Sequence, residues 1–217
     1  MSKAAILSLI LSTLPVISNA CETALILAID VSNSIDPSEY RLQTDGLAAA
    51  LRDPDIIDAM VRQEAAIAVV QWSGQDRQTV SIEWTRVRTA LDAARLAERA
   101  QLMPRAFVLS DTAPAEAIMF SMNLFRQVSD CKNKVIDVSG DGTPNAGSET
   151  RDARNAAQRA GITINGVAIE SMGLAITNFY KAAVITRNGF VITARTHREY
   201  PDAIRRKIIR ELSQVLG

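Results

Sequence analysis

Histidine is almost missing from this 217-residue chain; the single one is His197. It lies beside Arg195 and Arg198, far in order from any loop of interest, and reads as a surface histidine. Serine–histidine catalysis therefore has no base to use. Cysteine is nearly as scarce, with Cys21 and Cys131 alone, which excludes a miniprotein held together only by disulfides. Charge of either sign in excess is absent too, since 24 Lys and Arg balance 24 Asp and Glu. Nothing in bulk composition therefore points to a nucleic-acid binder, an acidic tail or a disordered chain. Glycine-rich phosphate loops, G-x-S-x-G elbows, repeats and low-complexity linkers do not occur either. The length suits one domain with a proper core.

Long apolar runs are absent after the first 17 residues, and the one at the start is informative. Met1 to Ala20 carry one positive charge, Lys3, then an apolar stretch from Ala4 to Ile17, then the small residues Ser18-Asn19-Ala20. This is the pattern of a secretory signal peptide, and its apolar part is shorter than the about 20 residues a membrane span needs. Residues 1–20 are thus expected to be removed, leaving residues 21–217 as one exported domain, periplasmic or extracellular, with no transmembrane segment. Cys21 would then be the first mature residue, which opens two readings. One is a lipid anchor on Cys21, although Ser18 stands where a lipobox usually has a large aliphatic residue. The other is a disulfide between Cys21 and Cys131. Cys21 lies nine residues before Asp30 and Cys131 ten before Asp141, each ahead of an apolar strand. If those strands run parallel side by side, their starts are level and within bridging distance, so the disulfide is favoured.

Thr23 to Asp30 reads as a strand buried on both faces. A helix follows, with Asp36, Pro37 and Glu39 at N-cap, N1 and N3. Ala65 to Trp72 and Gln78 to Trp84 are further strands, joined by a turn short enough for a hairpin, so the third runs antiparallel to the second. Thr85 is placed to cap an Ala-rich helix reaching about Gln101, and Ala113 to Val128 reads as another. Asn133 to Ser139 and Ile162 to Ile169 are the fourth and fifth strands, with a polar helix over Glu149 to Ala160 between them. A short helix over Thr177 to Ile185, an edge strand over Gly189 to Thr193 and a closing helix from Pro201 complete the chain. Alternating strands and helices predict a three-layer α/β domain with a mainly parallel sheet.

In such sheets ligands gather at the carboxyl ends of strands, near the point where strand order reverses. The first strand ends in Asp30-Val31-Ser32-Asn33-Ser34, and alternation lets Asp30, Ser32 and Ser34 present a carboxylate and two hydroxyls to a common point. The fourth strand ends in Gly140-Asp141-Gly142, which brings a second carboxylate if the two strands are neighbours. Thr112, just before a helix, offers a further hydroxyl. Hard oxygen ligands with few carboxylates suit Mg²⁺, Mn²⁺ or Ca²⁺, with Mg²⁺ the first expectation.

These residues resemble the metal-ion-dependent adhesion site of the von Willebrand factor A fold, whose pattern is D-x-S-x-S, then a threonine, then an aspartate followed by glycine. The segments RLQTDGLAAALRDPDII, IAVVQWSG, IEWTRV, VIDVSGDGTPNAG and GITINGVAI are moreover similar to a family of exported bacterial proteins with this fold, known as a domain of unknown function. The resemblance spans nearly all of residues 21–217. It implies a six-stranded sheet of order 3-2-1-4-5-6 and a metal site. Ser32 and Ser34 would hold the ion directly, Thr112 directly or through water, and Asp30 and Asp141 mostly through waters. The remaining coordination position would accept an exposed Asp or Glu of a partner protein. One departure is Leu109-Ser110-Asp111-Thr112, where the fold usually has glycines before the threonine. Asp111 would either stiffen the loop or add negative charge beside the ion that competes with an incoming carboxylate.

The leading expectation is a non-enzymatic, metal-dependent protein-binding module. The alternatives are a metal-assisted hydrolase built on Asp30, although Ser32 stands where a dehalogenase-type phosphohydrolase has its second aspartate, and an ion that serves only to tie loops together. Away from the site, Asp137 is expected to be a buried paired carboxylate, with Arg151 or Arg154 as partner. Trp72 and Trp84 are read as packing residues. Arg205, Arg206, Lys207 and Arg210 form the solvated face of the closing helix.

Overall fold

A computed structural model describes residues 21–171 and 173–213. The expected signal peptide, residues 1–20, lies outside the described residues. The elements in chain order are β1 (Thr23–Asp30), α1 (Pro37–Leu51), α2 (Pro54–Arg62), β2 (Ala66–Trp72), β3 (Gln78–Arg86), α3 (Ala90–Gln101) and α4 (Pro114–Leu124). They continue with β4 (Asn133–Gly140), α5 (Thr150–Arg159), β5 (Thr163–Ile169), α6 (Ala175–Phe179), β6 (Val191–Ala194) and α7 (Tyr200–Ser213). The sheet order is β3-β2-β1-β4-β5-β6, parallel except for the β2–β3 pair. This is the three-layer architecture the alternating pattern predicts.

β1 is central, and all eight of its residues are buried because helices cover both faces. Leu25, Leu27 and Ile29 point into a core shared with α1, α2, α3 and α7, while Ala24, Ile26 and Ala28 point into a second core under α4 and α5. The capping box at Asp36 forms as the sequence predicts: its carboxylate accepts from the Ser38 and Glu39 N–H groups, and Glu39 accepts from the Asp36 N–H. Cys21 and Cys131, at the level starts of β1 and β4, are joined by a disulfide with Cα atoms 4.4 Å apart. Trp72 is buried, and Trp84 packs at a tilt against Phe125 and donates to the Leu124 carbonyl, so both pack as expected.

Several sequence expectations are corrected. Thr85 belongs to β3, and the helix after it is capped by Thr89, whose hydroxyl bonds the Asp92 N–H while Asp92 bonds back. Local helix signals at Thr85 lose to pairing with β2, where Thr85 faces Ile67. α2 is a separate helix, announced by Asp53 as N-cap and Pro54 after it. Of the four cations assigned to the solvated face of the closing helix, Arg205, Arg206 and Arg210 are exposed, and Lys207 is the exception. Lys207 is fully buried, and its Nζ lies 2.7 Å from Asp137 Oδ1 and 2.6 Å from Glu211 Oε1. Asp137 is therefore buried and paired, but with Lys207 rather than Arg151 or Arg154. The other cations of this helix lie near the surface, Arg205 on Asp53 and Arg210 over the ring of Phe190.

Candidate metal centre

At the carboxyl ends of β1 and β4 the chain assembles a small polar cluster. β1 and β4 are hydrogen-bonded neighbours, with Ile29 opposite Ser139, so Asp30 and the Gly140-Asp141 turn leave the sheet side by side. The first loop folds back on its own carboxylate: the Ser32 N–H donates to Asp30 Oδ1 at 2.7 Å. Ser32 Oγ and Ser34 Oγ are 3.2 Å apart, and Ser34 Oγ donates to Asp141 Oδ1 at 2.6 Å. Asp30, Ser32, Ser34 and Asp141 are thus one connected set. Thr112 is buried across Gly142, with its Oγ1 3.5 Å from the position a side chain there would take.

The threonine loop is fastened without the usual glycines. The Thr112 N–H donates to Asn145 Oδ1 at 2.8 Å, and the Asn145 N–H returns to the Thr112 carbonyl at 3.1 Å. Ser73 Oγ donates to the Asp111 carbonyl, and the Asn33 N–H donates to the Ser110 carbonyl, which ties this loop to the first one. Leu109 takes up a left-handed backbone conformation, φ 50°, where glycine is the easy residue. The side chain of Asp111 is exposed, and it is the main chain of that residue that holds the loop.

Two residues that the sequence reading placed elsewhere or passed over complete the site. Arg105 donates from Nη2 to the carbonyls of Val31 and Ser32, both at 2.9 Å, and so clamps the first loop from below. His197 is not a remote surface residue. Its Nε2 is 3.3 Å from Asp141 Oδ2 and 3.5 Å from Glu39 Oε1, with a side chain only 13 % exposed. Nothing in the local sequence announces this, because the turn before α7 carries His197 back over the end of β4. Burial disfavours its charged form, yet the Asp141 bond and the nearby Glu39 and Asp36 carboxylates outweigh that, and its pKa is raised.

Electrostatics single out Asp30. It is completely buried, and burial raises its pKa to about 7; the Ser32 bonds and Arg105 lower it only partly, and the Asp141 charge raises it further. Its second oxygen, Oδ2, is buried with no hydrogen-bond partner. Such an atom needs a proton or a cation beside it. Among the described residues no group of three or more His, Cys, Asp or Glu side chains is arranged to hold a metal ion. The donor set here is of another kind, two carboxylates and three hydroxyls, and it fits a hard divalent cation. Beside it opens a cavity of about 670 Å³, with Ser34, Glu39, Asp141, Glu170, His197 and Arg198 among its walls.

Residues 20–216 match the family described as protein of unknown function, DUF1194. The chain belongs to the DUF1194 family. No curated protein matches this DUF1194 chain in sequence. Its fold is shared with solved von Willebrand factor A domains. Proximal thread matrix protein 1 from the mussel byssus, solved with a zinc-occupied MIDAS motif, aligns with a TM-score of 0.68 and 18% identity over 89% of this chain and 48% of the mussel chain. A von Willebrand factor type A protein from Catenulispora acidiphila gives 0.62 and 18% over 88% of this chain and 43% of that one. The vWF domain of the type V pili tip protein Mfa5 from Porphyromonas gingivalis gives 0.64 and 10% over 91% and 97%. The DUF1194 chain thus spans about half the length of the mussel protein. Its fold is that of a von Willebrand factor A domain.

Proposed function

We propose that this DUF1194 protein is a divalent-metal-dependent protein-binding module, in which Asp30, Ser32, Ser34, Thr112 and Asp141 hold the ion. The observation that carries this reading is the buried, unpartnered Oδ2 of Asp30 at the end of a hydroxyl chain that reaches Asp141. The mussel relative in fold with zinc at its MIDAS motif supports a cation at this place, and the pilus tip domain supports a protein as partner. When bound, the ion supplies a positive charge and a coordination position that can accept an oxygen ligand from outside.

The surroundings explain why binding would depend on the ion. Asp36, Glu39, Asp141 and Glu170 all border the cavity, against His197 and Arg198. A partner carboxylate meets net repulsion there until a cation offsets it. A role confined to tying loops together is less well supported, because Arg105, Asn145 and Ser73 already fasten the three loops directly. Binding is favoured over hydrolysis because the one imidazole of the chain is engaged by carboxylates and not by a serine hydroxyl.

We place the domain, residues 21–217, outside the cytoplasm after removal of residues 1–20. The disulfide supports an oxidising compartment, and it occupies the sulfur that a lipid anchor on Cys21 would need. Among the described residues no helix is long and apolar enough to cross a membrane.

The test is calorimetric titration of Mg²⁺, Mn²⁺, Ca²⁺ and Zn²⁺ into metal-stripped protein, beside a Ser32→Ala/Ser34→Ala variant. Saturable binding that the variant loses is the expected result. Equal binding by both proteins would sink the assignment of the site.

A further inference from the structure

Among the described residues, a dense set of buried charge lies on the opposite face of the sheet from Cys131, under α7. Lys207 is 0% exposed and Asp137 1%, and Glu211 is buried beside them. Their positions come from three elements: Asp137 from the middle of β4, Lys207 and Glu211 one turn apart on α7, and Asn165 of β5 directly opposite Asp137 in register. Asn165 Nδ2 and Lys207 Nζ both donate to Glu211 Oε1, at 2.8 and 2.6 Å.

The Lys207–Asp137 contact is of another kind. Nζ lies 2.7 Å from Oδ1, yet neither oxygen of Asp137 has a hydrogen-bond partner. The amine is thus in close ion-pair contact with the carboxyl group without completing a well-formed hydrogen bond to it. Around it are the ring of Phe190, 5.3 Å from Nζ, and the buried hydroxyl of Tyr200, also without a partner. Two carboxyls share one amine here, so one negative charge is in excess, and burial raises both Asp137 and Glu211, the latter to about 7. In a dry interior an amine and a carboxylic acid cost less to bury than an ammonium and a carboxylate.

We propose that Lys207 and Asp137 join in an intramolecular amide, with Glu211 as the proton carrier. The lone pair of Nζ forms a bond to Cγ of the protonated Asp137 carboxyl. Glu211 takes the proton from the nitrogen and returns it to the departing hydroxyl; the Cγ–O bond breaks and one water leaves. No oxidant or cofactor is needed, and Glu211 ends as it began. The fold supplies what this condensation lacks in water: reactants held in contact, exclusion of solvent, and removal of two charges from the core. The bond would tie α7 covalently to the centre of the sheet across 70 residues of chain. This inference is independent of the metal reading.

Mass spectrometry of the intact wild-type protein tests it. The expected mass is one water below that of the chain with its disulfide closed. Trypsin should release residues 135–151 joined through Asp137 to residues 207–210, with no cleavage after Lys207. An unreduced mass would overturn the proposal, as would a water lost elsewhere, such as a succinimide at Asp141-Gly142, with an unbranched 135–151 peptide. Asp137→Ala and Lys207→Arg should each restore the lost water, and Glu211→Gln should leave most of the chain unlinked. A fully linked Glu211→Gln protein would overturn the role given to Glu211. The wild-type mass decides the main point even if the variants fold poorly.

Discussion

Nε2 of His197 stands 3.3 Å from Oδ2 of Asp141, although 56 residues separate them in the chain. The imidazole thus occupies one oxygen of a carboxylate that the proposed ion also needs. His197→Ala should therefore keep the fold and bind Mn²⁺ a few-fold more tightly, a change on the order of 1 kcal/mol. Calorimetry on both proteins reads this directly, and weaker binding in the variant would mean that His197 positions Asp141 instead of competing at it.

Gly140 packs closely against both Asp30 and Tyr180. A methyl group there would stand 2.7 Å from Asp30 Oδ2 and 2.9 Å from the Tyr180 hydroxyl. Gly140→Ala should lower the unfolding free energy by about 1–3 kcal/mol and lose metal binding along with it. Denaturant unfolding and calorimetry check the two effects separately.

Glu211 should make stability depend on pH in an unusual direction. Burial raises it from 4.5 to about 7 against the lowering influence of Lys207 and the Asn165 bond, with the Asp137 charge adding to the rise. The folded state then keeps a proton that the unfolded state releases above about pH 4.5. Its stabilisation is complete below that pH and is lost as pH climbs through 7, by at most about 1.4 kcal/mol per pH unit. If Lys207 is joined to Asp137, its opposing charge is gone and the sign is the same. Asp30, also raised to about 7 by burial, contributes a slope of the same sign. Urea unfolding from pH 4.5 to 8 should show this decline, and Glu211→Gln should make it shallower.

The Cys21–Cys131 bond spans 110 residues. Chain-entropy arguments give a crosslink of that span about 4–5 kcal/mol. Cys21→Ser/Cys131→Ser should therefore melt roughly 10 °C or more below the wild type. Differential scanning calorimetry of the two proteins is the check.

What could be read from the chain alone has a common physical basis. β1 is recognisable because a strand covered on both faces must be continuously apolar, and Asp36-Pro37-x-Glu39 because helix ends demand specific local partners. The candidate ligands follow from alternation after β1 and from a carboxylate at the end of its neighbour, both local patterns on a topology with few alternatives. The disulfide follows from two cysteines at level strand starts.

Tertiary structure decided whatever depends on a partner distant in sequence. Lys207 lies in a stretch whose composition suits a wet helix face, and only packing of α7 under β4 and β5 turns it inward onto Asp137 and Glu211. Asn145 and Arg105 each hold their loop through a pair of long-range bonds that leaves no periodic trace. His197 reaches Asp141 because the chain returns across the sheet before α7. Periodicity and capping are properties of neighbouring residues and are written in the sequence; the pairing of buried charges is a property of the closed fold and appears only when the layers are assembled.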